Sequence, residues 1–223
     1  MPPDLIGPLS MSARAEDTKT NYFGTERSTI DKIMIERCVR LSAVAAERKE
    51  LPFAALICKG IEVLAETSNQ VVQDSDVTRH AELVAISNAQ KILGRGRLED
   101  CTLYTTVEPC AMCSFAVREA RISRVVFSIG SPIMGGLSKW NVLRDTGLSH
   151  AMPEVFGPAP EVIGGLSQSE AEKVWEKWNP VFWAVIKRRG YLGGRTVAAH
   201  LHELPERSSL LRKLFRLHSR RRA

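Results

Sequence analysis

The chain has 223 residues, 44% of them hydrophobic, and a formal net charge of +6, which allows one domain with extensions but not two large domains. No stretch approaches the ~20 apolar residues of a membrane-spanning helix, the N-terminus has no basic or long apolar region typical of a signal peptide, and five cysteines, an odd number, argue against a disulfide framework. We therefore expect a cytoplasmic protein without a membrane span.

The positive charge is concentrated at the C-terminal end. Of 31 basic and 25 acidic residues, ten Lys or Arg and two Glu lie from Arg188 onward, which leaves 21 basic and 23 acidic residues in the first 187. The body of the chain is therefore not basic. Proteins that grip phosphate backbones need several well-placed cations, and here those cations lie in the tail.

The first predicted elements are an N-terminal arm and a helix. Residues 1–27 are polar and without periodicity, which predicts a flexible arm. The helix is expected to begin after Ser28 as N-cap, with Asp31 three residues on in a capping pattern. Its apolar stripe, expected to pack on a sheet, consists of Ile30, Ile33, Met34, Val39 and Leu41.

The central part of the chain alternates between strand and helix patterns. Strands are predicted at about 53–58 and 61–67, joined by a tight Lys59-Gly60 turn that indicates a hairpin. Further strands are predicted at about 102–106 and 124–129, each separated from the previous strand by a helix. These helices are predicted to start at His80 and Cys110. This alternation predicts an α/β fold, with a mixed sheet and helices on both faces.

The C-terminal third is predicted to hold smaller elements and a tail. One short helix, Leu137 to Asp145, is expected within the Gly- and Pro-rich residues 130–165, and Glu161 to Gly164 is expected to form the last strand. A helix from Ser169 to Arg189 is interrupted by Pro180, which should kink or split it. Residues 191–223 form a basic tail, predicted as an amphipathic helix that could be solvated, lie on a membrane surface or bind RNA.

Two short motifs carry the chemistry: His80-Ala81-Glu82 and, after thirty positions, Cys110-Ala111-Met112-Cys113. A catalytic zinc site uses three protein ligands and one water, and it accepts imidazole nitrogen and thiolate sulfur. His80, Cys110 and Cys113 supply that set. Glu82 stands beside the metal ligand, where it is a candidate proton carrier.

The spacing of the ligands is compatible with two helix N-termini meeting at one metal. In Cys-x-x-Cys both sulfurs reach one ion if the segment opens a helix, because residues three apart share a face. Pro109 suits such a helix start. A structural zinc site is the alternative, but it needs a fourth protein ligand. The remaining cysteines, Cys38, Cys58 and Cys101, stand singly in apolar stretches and are predicted to be core residues.

The joint pattern resembles the H-x-E and P-C-x-x-C signature of zinc-dependent nucleobase and nucleoside deaminases of the cytidine deaminase-like superfamily. The resemblance implies a three-layer α-β-α sandwich with a mixed five-stranded sheet, one Zn²⁺ per chain and a homodimer. It also implies that residues 28–190 form the deaminase domain. Under this resemblance Glu82 is the catalytic acid and base, and the substrate-binding residues are Asn69, Phe53, Ala54, Ala55 and Glu108.

Three functions are compatible with this resemblance. The first is hydrolytic deamination of an amino-substituted purine base or nucleoside to the oxo product and ammonia, which the acidic-leaning body of the chain favours. The second is a tRNA-specific adenosine deaminase that makes inosine at the wobble position, which the basic tail favours. The third is a non-catalytic partner subunit that kept its zinc, but such subunits typically lose the proton carrier, and Glu82 is present.

Overall fold

The structure, a computed structural model, describes residues 13–193, with side chains from residue 28 onward. The strands are β1 Ala54–Lys59, β2 Glu62–Ser68, β3 Thr102–Val107, β4 Arg124–Ile129 and β5 Glu161–Gly164. The helices are α1 Ala13–Glu47, α2 Val71–Asp74, α3 Ala81–Leu93, α4 Ala111–Glu119, α5 Thr146–Ala151, α6 Gln168–Trp178 and α7 Pro180–Arg188. The predicted tail lies outside the described residues from 194 onward.

One mixed sheet has the strand order β2-β1-β3-β4-β5. Strand β1 is antiparallel to both β2 and β3, whereas β3, β4 and β5 run parallel. The two parallel steps are linked by α4 and by the longer segment between β4 and β5, as parallel strands require crossover connections. The predicted α/β class with a mixed five-stranded sheet is confirmed.

Helices cover both faces of the sheet. On one face α3 and α4 pack against alternate strand residues, with Ala85 and Val117 meeting Ile57, Leu103 and Val125. On the other face α1 packs against the intervening strand residues, with α6 and α7 beside it. This arrangement is the predicted three-layer α-β-α sandwich. Because both faces are covered, all of β4 and nearly all of β3 consist of buried residues.

Helix α1 differs from its prediction at its start and on one face. It begins at Ala13, so Ser28 lies inside the helix and the predicted N-cap there is wrong. Asp31 is buried and receives two hydrogen bonds from the Arg124 guanidinium, at 2.9 and 2.8 Å. The side chain of Ile33, predicted to face the sheet, is 54% exposed.

The predicted helix from Leu137 to Asp145 does not form, and α5 begins instead at Thr146 with Asp145 as N-cap. Two buried charged side chains bind the backbone of this irregular segment instead. Glu108 accepts hydrogen bonds from the N–H groups of residues 137 and 138, at 2.9 and 2.6 Å. The Arg118 guanidinium donates to the carbonyl oxygens of residues 142 and 145, at 2.8 and 2.9 Å.

The predicted C-terminal helix is split in two, as Pro180 indicated. Asn179 separates α6 from α7 and caps α7, because its side chain accepts a hydrogen bond from Phe182 N at 2.9 Å. Helix α6 starts at Gln168, one residue before the predicted Ser169 cap. Its aromatic side chains form part of the core, with Trp175 stacked on Trp183 at 5.8 Å. Among residues 13–193, no helix has the length and apolarity needed to cross a bilayer.

Candidate metal centre

Two helix N-termini meet at the carboxyl end of β3, as the motif spacing predicted. His80 is the N-cap of α3 and Cys110 is the N-cap of α4, both with extended backbone angles. Neither side chain caps its own helix, so both are free to turn toward a shared centre. Pro109 precedes the cap of α4 rather than lying in its first turn. Cys113 then lies on the inner face of the first turn of α4.

The three ligand atoms form a nearly equilateral triangle. His80 Nδ1 lies 3.7 Å from Cys110 Sγ and 3.5 Å from Cys113 Sγ, and the two sulfurs are 3.6 Å apart. A tetrahedral zinc with Zn–S of about 2.3 Å and Zn–N of about 2.0 Å requires S···S of about 3.8 Å and N···S of about 3.5 Å. The residues therefore fit three vertices of a tetrahedral zinc site.

The electrostatics of the triangle favour one ionised sulfur. The hydrogen bond between Cys110 and Cys113, together with the one between Cys110 and His80, lowers the pKa of Cys110 to about 4. The same hydrogen bond raises the pKa of Cys113, because the two sulfurs share one proton. The hydrogen bond with Cys110 raises the pKa of His80. A thiolate at a helix N-terminus is a ready ligand for a cation.

Glu82 is buried beside this triangle. Its Oε2 lies 3.7 Å from Cys113 Sγ, and its Oε1 accepts a hydrogen bond from Thr105 Oγ1 at 3.3 Å. Burial raises the pKa of the Glu82 carboxyl, because the charged form loses its hydration. The threonine holds one oxygen, so the other faces the metal centre.

No fourth protein ligand completes the triangle among the described residues, where His80, Cys110 and Cys113 form a group of three. Cys38, Cys58 and Cys101 are fully buried in the core, as predicted, and all five cysteines are free thiols. Burial raises the pKa of Cys58 to about 12 and that of Cys101 to about 11. The centre therefore has the open vertex of a catalytic zinc site.

Asn69 and Phe53 are connected to the segment that carries His80. Thr67 Oγ1 donates to Ala81 O at 2.7 Å and Gln70 N donates to Arg79 O at 3.1 Å, so the chain around Asn69 runs beside the chain around His80. Asn69 N donates to the carbonyl oxygen of Phe53 at 3.0 Å. The Phe53 ring is partly buried and meets Trp175 edge-on at 5.1 Å, which holds it as a wall.

The other three residues predicted to bind substrate are more enclosed. Ala54 and Ala55 are fully buried in β1, and both backbone groups of Ala54 have partners in Thr106 Oγ1 and the Cys38 thiol. Glu108 uses its carboxylate to bind the loop after β4, including Ser131 N at 2.8 Å and Ser138 Oγ at 2.6 Å. A Cβ on Gly135 would lie 2.0 Å from Glu108 Oε1, so this glycine lets the loop close on the carboxylate.

Two polar residues of this region were not predicted from the sequence. Thr105 orients Glu82, and Glu50 is a buried carboxylate that receives the Asn69 amide at 3.2 Å. Both faces of β3 are buried, so no alternation of polar and apolar residues marks Thr105 as a residue of the site. Glu50 lies between a helix and a strand and has no local signal.

Comparison with known proteins agrees with this geometry. The sequence profile of the cytidine and deoxycytidylate deaminase zinc-binding region matches residues 28–129. A tRNA-specific adenosine deaminase of Aquifex aeolicus (strain VF5) is 38% identical over 125 residues, covering 56% of this chain and 83% of the relative.

Solved structures of related proteins share the fold. A tRNA:A34 deaminase that performs A-to-I editing at the wobble position has 33% identity and a TM-score of 0.54, covering 62% of this chain and 96% of that chain. A guanine deaminase from Nitrosomonas europaea has a TM-score of 0.56, covering 67% of this chain and 84% of that chain. At 23% identity, the second likeness shows the fold alone.

Proposed function

The chain belongs to the zinc-dependent deaminases of the cytidine deaminase-like superfamily, and we propose that the ring it deaminates is a purine, as the free base or the nucleoside. The enzyme is a hydrolase that acts on the C–N bond of a cyclic amidine. The Aquifex aeolicus relative at 38% identity is a tRNA-specific adenosine deaminase, and adenine is a purine.

One observation supports catalysis rather than a structural metal site. The His80, Cys110 and Cys113 ligand atoms leave one vertex open, and the nearest carboxylate, Glu82, is buried beside it with Oε2 free of the threonine. A structural site would close that vertex with a fourth ligand. A water and a proton carrier at the same point are the requirements of a hydrolytic site.

In the proposed reaction some residues bind the substrate and one residue transfers protons. When bound, zinc supplies a Lewis acid that allows a water to ionise near neutral pH. Glu82 would take one proton of the attacking water at Oε2 and deliver it to a ring nitrogen. It would then take the remaining proton of the new hydroxyl group and pass it to the leaving amine, so that the carbonyl forms as ammonia departs. Thr105 keeps the carboxylate in place throughout. Phe53 would hold one face of the ring, and Asn69 would hydrogen-bond to its edge.

A tRNA wobble adenosine is the second candidate substrate. The 38% identity to a tRNA-specific adenosine deaminase and the basic tail favour it. The net charge of the first 187 residues, 21 basic against 23 acidic, favours a small substrate. RNA binding through phosphates depends steeply on salt, whereas binding of a neutral purine does not.

Ammonia release from a substrate panel separates the two candidates. The full chain is assayed with guanine, adenine, their nucleosides, cytosine and an anticodon stem-loop at 50 and 200 mM salt. We expect turnover of a free purine or nucleoside with kcat/KM changing less than about threefold between the two salts. Turnover confined to the stem-loop would establish the tRNA function instead, and turnover confined to cytosine would contradict both.

We further propose that two copies pair through the outer face of α4. Met112 and Phe115 lie one turn apart on this helix and are 39% and 44% exposed. The loop that pairs Gly135 with Cys110 adds Met134 and Trp140, which are 49% and 58% exposed. We expect a second copy of the chain to cover this patch, because a two-fold axis brings the same apolar surface of both copies into contact.

Sedimentation of the full chain tests the pairing. We expect a dimer at micromolar concentration and a monomer after Phe115→Glu, since an unpaired buried charge at the centre of an interface costs several kcal/mol. The matched control is Ile33→Glu, because Ile33 is an exposed apolar residue on a different helix, α1, and is 54% exposed against 44% for Phe115. A wild-type monomer at 100 µM, or equal effects of both variants, would refute the proposal.

We infer that residues 28–190 act as the deaminase domain, since all five strands and all the ligands lie there. Residues 1–27 and 191–223 would then be an N-terminal arm and a basic tail. The free thiols Cys38, Cys58 and Cys101 suit a reducing compartment such as the cytoplasm. Limited proteolysis that retains residues 28–190 with its deaminase activity would support this division, and loss of zinc on removal of the termini would oppose it.

A further inference from the structure

Glu50 is a buried carboxylate that the zinc chemistry does not use. It is 3% exposed and lies between α1 and β1, where both of its oxygens accept hydrogen bonds. Oε1 accepts from Gln73 N at 2.6 Å, and Oε2 accepts from Val72 N at 3.4 Å and from Asn69 Nδ2 at 3.2 Å. Glu50 therefore ties the segment after β2 to the end of the first helix.

The contact with Glu50 decides which way the Asn69 amide points. A carboxylate that already receives backbone N–H groups can only accept, so the amide must turn its NH₂ group toward it. The carbonyl oxygen of Asn69 then points away from Glu50. Asn69 is 3% exposed, yet within residues 28–193 its Oδ1 receives no hydrogen bond. The buried side-chain atoms without a partner in this part of the chain are Arg118 Nε, Ser128 Oγ and Trp175 Nε1, so Asn69 Oδ1 is accessible to a water or a ligand.

The free acceptor lies beside the metal centre. The hydrogen bonds from Thr67 to Ala81 and from Gln70 to Arg79 hold residue 69 next to residue 80, which supplies the ligand nitrogen. Asn69 N is itself fixed by the carbonyl oxygen of Phe53, the proposed ring wall. The backbone N–H and one side-chain N–H of Asn69 are thus both held, and Oδ1 remains open as an acceptor for a substrate.

We propose that Glu50 is a positioning residue that fixes Asn69 as a hydrogen-bond acceptor, so that the enzyme selects substrates carrying an N–H or O–H donor at this edge. The inference rests on the proposed role of Asn69 in substrate binding. The donor is either a ring N–H of a free purine or a hydroxyl of the ribose. Both groups are hydrogen-bond donors that Oδ1 can accept from.

A pair of exchanged side chains tests the orientation. Glu50→Gln offers Asn69 an NH₂ group, so the Asn69 amide turns and presents a donor to the substrate. We expect kcat/KM to fall at least about tenfold, mainly through KM, with zinc content unchanged. Asn69→Asp places two carboxylates side by side, and we expect kcat/KM to fall by a similar factor. In the Glu50→Gln/Asn69→Asp double variant an amide again faces a carboxylate, and we expect a recovery of at least tenfold over Asn69→Asp.

The outcome separates a positioning role from a merely structural one. Melting temperature and zinc content of each variant report folding, and Glu47→Gln, an exposed carboxylate at the end of α1, is the matched control. A double variant no better than Asn69→Asp, or a Glu50→Gln variant with the wild-type kcat/KM, would overturn the proposal. If Glu50→Gln does not fold, Glu50→Asp replaces it, because it keeps the charge but withdraws from Asn69; an unchanged KM would then overturn it.

Substrate analogues identify the donor with the intact protein. The pairs are guanine and 9-methylguanine, adenine and 9-methyladenine, and the two purine nucleosides with their 2′-deoxy forms. In the wild type we expect kcat/KM to differ at least tenfold between the two members of one kind of pair. In Glu50→Gln the same difference should be less than threefold. If the methyl group or the missing hydroxyl acted only through its size, the difference would be the same in both proteins. Equal discrimination in both proteins would overturn the proposal. Absence of turnover with every purine would instead refute the proposed function.

Discussion

Glutamine in place of Glu82 should lower kcat by at least about a hundredfold while one zinc per chain is retained. The amide has nearly the shape of the carboxylate and can keep the hydrogen bond from Thr105, so the pocket should not collapse. It cannot take a proton from water, and each proton transfer in the proposed reaction passes through this side chain. Ammonia release under saturating purine measures kcat, and metal analysis of the same sample measures zinc.

The matched control for this substitution is Glu62→Gln on β2. Glu62 is exposed, so its charge is removed without disturbing the pocket, and we expect the wild-type rate. A Glu82→Gln variant that keeps its zinc and whose kcat falls less than tenfold would show that another group transfers the proton. Loss of zinc in this variant would mean that Glu82 takes part in holding the metal.

The second large effect concerns stability. Asp31 on α1 and Arg124 on β4 form a buried bidentate pair whose side chains are 5% and 8% exposed. Asp31→Ala leaves the guanidinium with the half-exposed Glu161, which accepts from Arg124 Nε at 2.8 Å, but two buried N–H groups lose their acceptors, which costs about 3 kcal/mol. Tyr104 loses an acceptor as well, because its hydroxyl donates to Asp31 Oδ1 at 2.8 Å. We therefore expect a loss of that size in the free energy of unfolding, measured by urea denaturation.

An ion pair on the same helix provides the control. Arg37 on α1 pairs with Glu66 on β2, and these side chains are 45% and 31% exposed. Because solvent screens exposed pairs, Glu66→Ala should cost no more than about 1 kcal/mol. Equal losses from Asp31→Ala and Glu66→Ala would contradict the view that the buried pair fixes α1 to the sheet.

Sequence reasoning succeeded where the signal was local. The spacing of His80, Cys110 and Cys113 predicts two helix starts, and both residues that precede those helices are N-caps in the structure. Strand β5 and the break at Pro180 were also predicted correctly from the sequence, because turn residues and proline affect the conformation of their immediate neighbours.

The failures concern partners that are distant in the chain. Asp31 was interpreted as part of a capping pattern, but its partner Arg124 lies 93 residues away. In place of the helix predicted from Leu137 to Asp145, an irregular segment binds Glu108, which follows β3, and Arg118 on α4. Buried charges of this kind override local preference, because leaving them unpaired costs more than a few helical hydrogen bonds.

The zinc content of the purified full chain is the most direct test of the metal centre. We predict one zinc per wild-type chain, loss of the metal in Cys113→Ala, and an activity that disappears with a chelator and returns with added zinc. Zinc far below one per chain in active enzyme, or a further side chain that fills the open coordination position, would contradict the account.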